Sequence, residues 1–175
     1  MDKILLVTPT KEHEQAALEY KQEHLDNGEP LLHGGSLLDT KDSYNDWLDH
    51  LRANSSKETV QPGWVPSSTF FGVRESDGHI VGMIDIRHEL NDFLRNYGGH
   101  IGYGVRPSER RKGYATQMLL LALDCCRSIG LDRVMLACDR NNPGSRLTIE
   151  KCGGTLEREF LHTDGMTVQV FWILL

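Results

Sequence analysis

A mixed α/β (α+β) fold, with a central sheet of about seven strands flanked by about four helices, is what this sequence predicts, and three features carry the prediction. Between His100 and Ile129 a strand, a basic turn and a long amphipathic helix follow one another. Ile101, Tyr103 and Val105 alternate with smaller or polar residues, as in a strand with two distinct faces. From Ala115 onward, Met118, Leu119, Ala122, Leu123 and Cys126 recur on one face of a helix. The second feature is a pair of hairpin signals, one across Asp77-Gly78 and one across Thr163-Asp164-Gly165. The third is Arg133 to Cys138, a continuous apolar run suited to a strand buried on both faces.

Taken in order, Ile4 to Val7 is a short apolar run suited to a first strand. Thr8 or Thr10 caps a helix running to about Leu25, with Ala16, Ala17 and Tyr20 on its inner side. Asn27-Gly28-Glu29-Pro30 ends it, and Leu31 to Leu38, interrupted by Gly34 and Gly35, reads as irregular. Lys41 to Ala53 predicts a second helix, with Tyr44, Trp47, Leu48 and Leu51 on one face. Asn54 to Ser67, containing Pro62, Gly63 and Pro66, is a polar loop. Ser68 to Arg74 and His79 to His88 form the first hairpin, and Asn91 to Tyr97 a short helical turn before Gly98-Gly99. Gly130 suits the end of the long helix. Asn142 followed by Pro143 starts another helix, which runs to about Lys151. Thr155 to His162 and Met166 to Leu175 close the order as β-α-α-β-β-β-α-β-α-β-β, read as one domain over residues 1–175.

The totals exclude several classes. A net charge of −6 argues against general nucleic-acid binding, which needs a basic face, and leaves a surface that favours cationic partners. No apolar run is long enough to span a bilayer, and the N-terminus turns polar too soon for a secretory segment. The expected setting is therefore cytoplasmic, with no membrane partner. Cys125, Cys126, Cys138 and Cys152 include no C-x-x-C pair and read as buried thiols, and the scattered histidines give no metal site.

Against that acidic background Arg106, Arg110, Arg111 and Lys112 stand out, with Gly113 at the point where a helix begins. Unpaired N–H groups at a helix N-terminus favour a phosphate or pyrophosphate, and glycine lets it approach closely. A P-loop is excluded because Lys112 precedes Gly113 and Tyr114 follows it, which removes the magnesium-binding hydroxyl. A dinucleotide fingerprint is excluded because Gly102-Tyr103-Gly104-Val105-Arg106 runs into Pro107.

The Arg110-x-x-Gly113-x-Ala115 turn resembles the pyrophosphate-binding Arg/Gln-x-x-Gly-x-Gly/Ala motif of the GCN5-related N-acetyltransferases (GNAT superfamily). The element order is also that family's, and Asn142 to Gly154 is similar to its penultimate-helix sequence. Arg87-His88-Glu89-Leu90-Asn91 and Gly99 to Tyr103 further resemble a bacterial subgroup of uncharacterised acetyltransferases. The resemblance implies the GNAT fold and an acetyl-CoA cosubstrate, with acetyl transfer to the primary amine of a small molecule or peptide. It implies that the phosphates rest on the backbone of Arg111, Lys112, Gly113, Tyr114 and Ala115, with Arg110, Asn142 and Ser145 beside the cofactor. It also implies exposed backbone at Gly104, Val105 and Arg106, with Val105 toward the thioester carbonyl and Gly104 easing a bulge.

One position departs from the family. Where many members carry a proton-donating tyrosine, seven residues after the Asn, this chain has Ile149. Tyr103 or a water would then protonate the leaving thiolate, or the thiolate leaves unprotonated. His88 and His100 are the candidate bases, each read at least as well as a side chain that hydrogen-bonds a loop backbone; Glu89 and Asp85 are further candidates, and Asp85, on a strand, could simply face solvent. By the same resemblance Tyr44 and Trp47 line the acceptor pocket. Two other readings stay open, a non-catalytic acyl-CoA-binding domain and a phosphate-binding module. The C-terminal hairpin offers an edge on which a homodimer can form.

Overall fold

Alternation and tight turns fold the chain into two antiparallel sheets with helices on both sides. The computed structural model describes residues 2–175. Its strands are β1 (Ile4–Val7), β2 (Ser67–Arg74), β3 (Ile80–Arg87), β4 (Ile101–Val105), β5 (Arg133–Asp139), β6 (Thr155–Leu161) and β7 (Thr167–Leu174). Its helices are α1 (Glu14–Asp26), α2 (Tyr44–Ala53), α3 (Tyr114–Ser128) and α4 (Pro143–Lys151). The fold class, the seven strands and their order are those the sequence predicts. The central sheet, however, is divided: four strands run β1-β2-β3-β4 and three run β5-β7-β6. The residues expected as a helical turn at Asn91 to Tyr97 form a π-helix over Leu94–Gly98.

On one face of the first sheet, α3 buries Met118, Leu119, Ala122 and Leu123 with Ile84, Ile86 and Ile101 of the strands. Gly72 and Gly82 leave the notch that Met118 fills: a Cβ on either glycine would come within 2.6 Å of that side chain. On the opposite face Ala17, Tyr20, Trp47, Phe71 and Met83 form a second core beneath α1 and α2. The 33–35 segment also lies against the sheet, where a Cβ on Gly104 would sit 2.7 Å from the His33 carbonyl oxygen. Backbone approach is what requires glycine at 104; the β3–β4 ladder has no bulge there, contrary to the expectation from sequence.

The two sheets meet at one point. The His100 N–H donates to the Met135 carbonyl at 2.7 Å, and the Met135 N–H donates to His100 Nδ1 at 2.9 Å. An imidazole nitrogen thus stands where the next rung would need a backbone carbonyl. Beside it Gly99, at φ 70°, bridges Leu136, and a Cβ there would come within 2.5 Å of the Met135 carbonyl oxygen. Beyond this junction β4 and β5 do not pair, which leaves a gap in the hydrogen-bond ladder between the two sheets.

Accepting at Nδ1 puts the His100 proton on Nε2, and burial with nearby Arg87, Arg95 and Arg133 pushes its pKa down to about 4. Below the unfolded value of 6.5 the denatured chain takes up a proton that the native ring refuses, so this contribution is full above 6.5 and is lost as pH falls toward 4. Denaturant titrations should show the wild type losing about 2 kcal/mol more than His100→Asn between about pH 7.5 and about pH 5. Equal losses in the two proteins would remove His100 as the origin.

Candidate active site

Ladder parity decides what the gap contains. The Arg106 N–H donates to the Val81 carbonyl at 2.8 Å and the Arg87 N–H to the His100 carbonyl at 2.7 Å. Hydrogen bonds in an antiparallel pair fall on alternate residues, so Gly102 and Gly104 also direct their backbone groups at β3. Ile101, Tyr103 and Val105 turn theirs toward the gap, where no strand pairs with them. Of the three residues expected to present backbone, Val105 does so, whereas Gly104 and Arg106 are engaged by β3. The same reasoning on β5 turns Met135 and Ala137 toward the gap, since Leu175 and Arg140 donate to Asp132 and Thr167 on the β7 side.

At the open end of the gap the chain passes through a short 3₁₀ turn, Pro107–Glu109, into α3. Gly113 is the N-cap at φ 85°, and Arg111 is held at φ 63°. No backbone N–H from Arg111 to Thr116 finds an acceptor among the described residues, and no side chain caps the helix. Consecutive free N–H groups backed by a helix dipole fit a pyrophosphate. The basic side chains of the turn point elsewhere. Arg106 is buried against Glu23 and donates to the Ile80 carbonyl, and Arg110 grips Glu29. Lys112 pairs with the buried Glu109, which also holds Arg74. Arg111 alone of the four stays exposed with no ion pair among the described residues.

Tyr103 crosses from β4 to the first turn of α4, where its hydroxyl lies 2.9 Å from Ser145 Oγ. Asn142 caps that helix by accepting from the Ser145 N–H at 3.0 Å. Burial pushes the Tyr103 phenol up to about 12, so it carries its proton at neutral pH. Ile149, at the position where the family often has tyrosine, is buried in the core below α3. Cys138 is buried on β5, and its thiol, also raised by burial, contacts Ser145.

The remaining candidates separate. His100 is the sheet junction, with Nδ1 occupied by Met135, so that nitrogen cannot act as a base. His88 is half-buried at the end of β3, its Nε2 is 2.8 Å from Ser68 Oγ, and burial lowers its pKa. Asp85, read as a residue that could simply face solvent, is instead buried between Thr69 Oγ1 at 2.8 Å and Arg87 Nε at 3.1 Å. Glu89 is exposed and paired with Lys57. Tyr44 and Trp47 do not line a pocket: both are buried, with hydroxyl and indole N–H donating to the carbonyls of Thr10 and Gly35. The aromatic face that suggested contact with an acceptor is a core face. Two surface clefts, of about 590 and 550 Å³, lie instead along α2, one lined by Asp42, Asp46, Asp49 and His50, the other by Leu48, Leu51, Ser68 and Phe70.

Sequence reasoning missed Glu23, on α1, and Glu29, just past it, the carboxylates that hold the turn. They lie 83 and 81 residues from their arginine partners, and no local pattern marks such pairs. It also missed the inward N–H of Tyr103, which ladder parity would have supplied once β3 and β4 were paired.

The model of the acetyltransferase (GNAT) family matches residues 37–153. A comparison with curated proteins found no match. Among solved structures, the microcin C7 self-immunity acetyltransferase MccE, in complex with acetyl-CoA and AMP, is 16% identical with TM-score 0.73, over 100% of this chain and 94% of that one. The ribosomal L7/L12 alpha-N-protein acetyltransferase RimL, in complex with coenzyme A, is 15% identical with TM-score 0.70, over 99% and 94%. The spermidine N-acetyltransferase of Vibrio cholerae is 15% identical with TM-score 0.65, over 98% and 94%. At such identities the likeness is one of fold.

Because Trp47 is wholly buried, Trp47→Ala should cost about 3–5 kcal/mol of stability. Urea titration measures it, and a loss below about 1 kcal/mol would return this residue to the list of surface contacts.

Proposed function

We propose, since the chain belongs to the acetyltransferase (GNAT) family, that it moves an acetyl group from acetyl-CoA to a primary amine by direct transfer. One observation carries the reading: free strand edges face a gap that opens onto a run of unpartnered helix N-terminal amides. The amides from Arg111 to Thr116 fit a pyrophosphate, and the gap fits a narrow chain lying between β4 and β5. Acetyl-CoA supplies the acetyl group as a thioester.

The chain's own residues then have separate tasks. The Tyr103 and Val105 N–H groups offer fixed donors to an oxygen gaining negative charge, each worth about 2.7–4 kcal/mol where the geometry is preorganised. The Tyr103 hydroxyl, protonated and hydrogen-bonded to Ser145, supplies the proton for the departing thiolate. Asn142 fixes Ser145 by capping α4. His88 is read as the base that accepts the amine's proton, directly or through water, because burial keeps it neutral at pH 7.

The net charge of −6 and the carboxylates of Asp42 and Asp46 support a cationic amine, small molecule or peptide, as acceptor. Four free cysteines support a reducing, cytoplasmic setting. The open edge of β6, with Leu156 and Leu161 exposed, supports a homodimer.

Two measurements test the reading. In calorimetric titration, acetyl-CoA should bind and ATP should not compete. Gly113→Val, which forces a branched residue to φ 85°, should weaken binding at least tenfold, or about 1.4 kcal/mol, without unfolding the chain. Equal affinity in that variant would reject the turn as the phosphate site. In a thiol-release assay with polyamines and peptide amino termini as acceptors, Tyr103→Phe should lower kcat about 100-fold while KM for acetyl-CoA stays close to wild type. Binding without turnover on any amine would assign a non-catalytic acyl-CoA-binding domain, the reading that Ile149 favours by withholding a proton donor.

A further inference from the structure

The phosphate turn is held from behind at every second residue. Glu23, near the end of α1, accepts from Arg106 Nε at 2.5 Å and from the Ser108 N–H at 2.8 Å. Glu29, just past that helix, accepts from both terminal nitrogens of Arg110, one at 2.7 Å. Residues 106 and 108 are thus tied to α1 and residue 110 to the chain just past it, and the free amides start at residue 111. Arg110 has a second attachment, its Nε donating to the Val105 carbonyl at 3.1 Å. That carbonyl belongs to the strand edge that faces the gap.

Glu29 is itself fixed. Asn27 Nδ2 donates to it at 2.8 Å, and His24 Nδ1 lies 3.1 Å from its other oxygen. The bonds from Arg110 lead the causes that hold its carboxyl near 2. For Glu23, burial works in the opposite direction, but the bonds from Arg106 and Ser108 outweigh it and hold that carboxyl near 2 as well. Both carboxylates are charged at any physiological pH.

We infer that Glu29 is a positioning residue for the cofactor: it keeps Arg110 as a strut between α1, the last residue of β4 and the turn, so that backbone amides and not the Arg110 guanidinium meet the phosphates. The inference rests on the acetyl-CoA reading of the turn. A bidentate carboxylate occupies the guanidinium fork in the same way a phosphate would, so Arg110 cannot serve both. The strut also joins α1 to the cofactor turn, and a disturbance at the end of α1 reaches the turn through it.

The experiment titrates acetyl-CoA into the full chain, Glu29→Gln, Arg110→Gln and the double variant, with melting temperatures and steady-state kinetics alongside. Each single variant should weaken acetyl-CoA binding about tenfold, and the double variant should be no weaker than either, because the pair acts as one unit. KM for acetyl-CoA should rise by the same factor while kcat at saturation holds. Unchanged or tighter binding in Glu29→Gln would overturn the inference, since a freed Arg110 would then be serving the phosphates. A lowered melting temperature with unchanged affinity would overturn it too, leaving a purely structural pair. No binding of acetyl-CoA by the unaltered chain would defeat the proposed function, and this inference with it.

Discussion

A side chain that takes the place of a backbone carbonyl holds the molecule's architecture. Two adjacent strands would ordinarily continue pairing, because unpaired backbone groups inside a protein are costly. At His100 the ladder stops, since the Met135 N–H is satisfied by an imidazole nitrogen and not by a peptide oxygen. Pairing fails from that point, and the facing edges of β4 and β5 have no strand partner. Gly99 makes the junction sterically possible, because any side chain there would strike the Met135 carbonyl. The cleft is therefore built by interrupting a ladder, and its polar lining is the interrupted backbone itself.

The charged residues around that cleft divide the work differently from what their sequence position suggests. A basic cluster next to an anion site invites the reading that arginines bind the anion. Here Arg106 and Arg110 face α1 and are neutralised by Glu23 and Glu29, and Lys112 is neutralised by Glu109. What remains directed outward is a set of N–H dipoles fixed by helix geometry and by positive φ at Arg111 and Gly113. Dipoles held by the main chain need no rearrangement when a charged ligand arrives, which flexible lysine or arginine side chains would.

Most of the fold was legible because its signals are local. The hairpin turns, the Asn142 cap with Pro143 behind it, and the periodicity of α3 each fix an element within a few residues, and each lies where the sequence puts it. The glycine that opens α3, at positive φ, was legible for the same reason. Long-range facts were hidden. The division of the sheet rests on one bond between residues 35 apart, and no spacing rule encodes it. Tyr44 and Trp47 illustrate a different limit: an aromatic helix face looks the same in sequence whether it meets a ligand or a sheet, and here it meets Phe71. Gly104 was correctly marked as special for the wrong reason, since the His33 carbonyl that excludes a side chain there arrives from a segment 71 positions away.

The strand order β5-β7-β6 carries a consequence for how the protein is made. β7 lies at the centre of its sheet although it follows both neighbours in sequence, so β5 and β6 have nothing to pair with while the chain is being synthesised. The first sheet with α1 to α3 can assemble as it emerges from the ribosome, but the far wall of the cleft cannot. Until β7 inserts, a growing chain leaves the apolar strand Arg133–Asp139 without its pairing partner. The cleft is thereby completed only after β7 is made, and the interval before insertion is when a nascent chain would most need a chaperone.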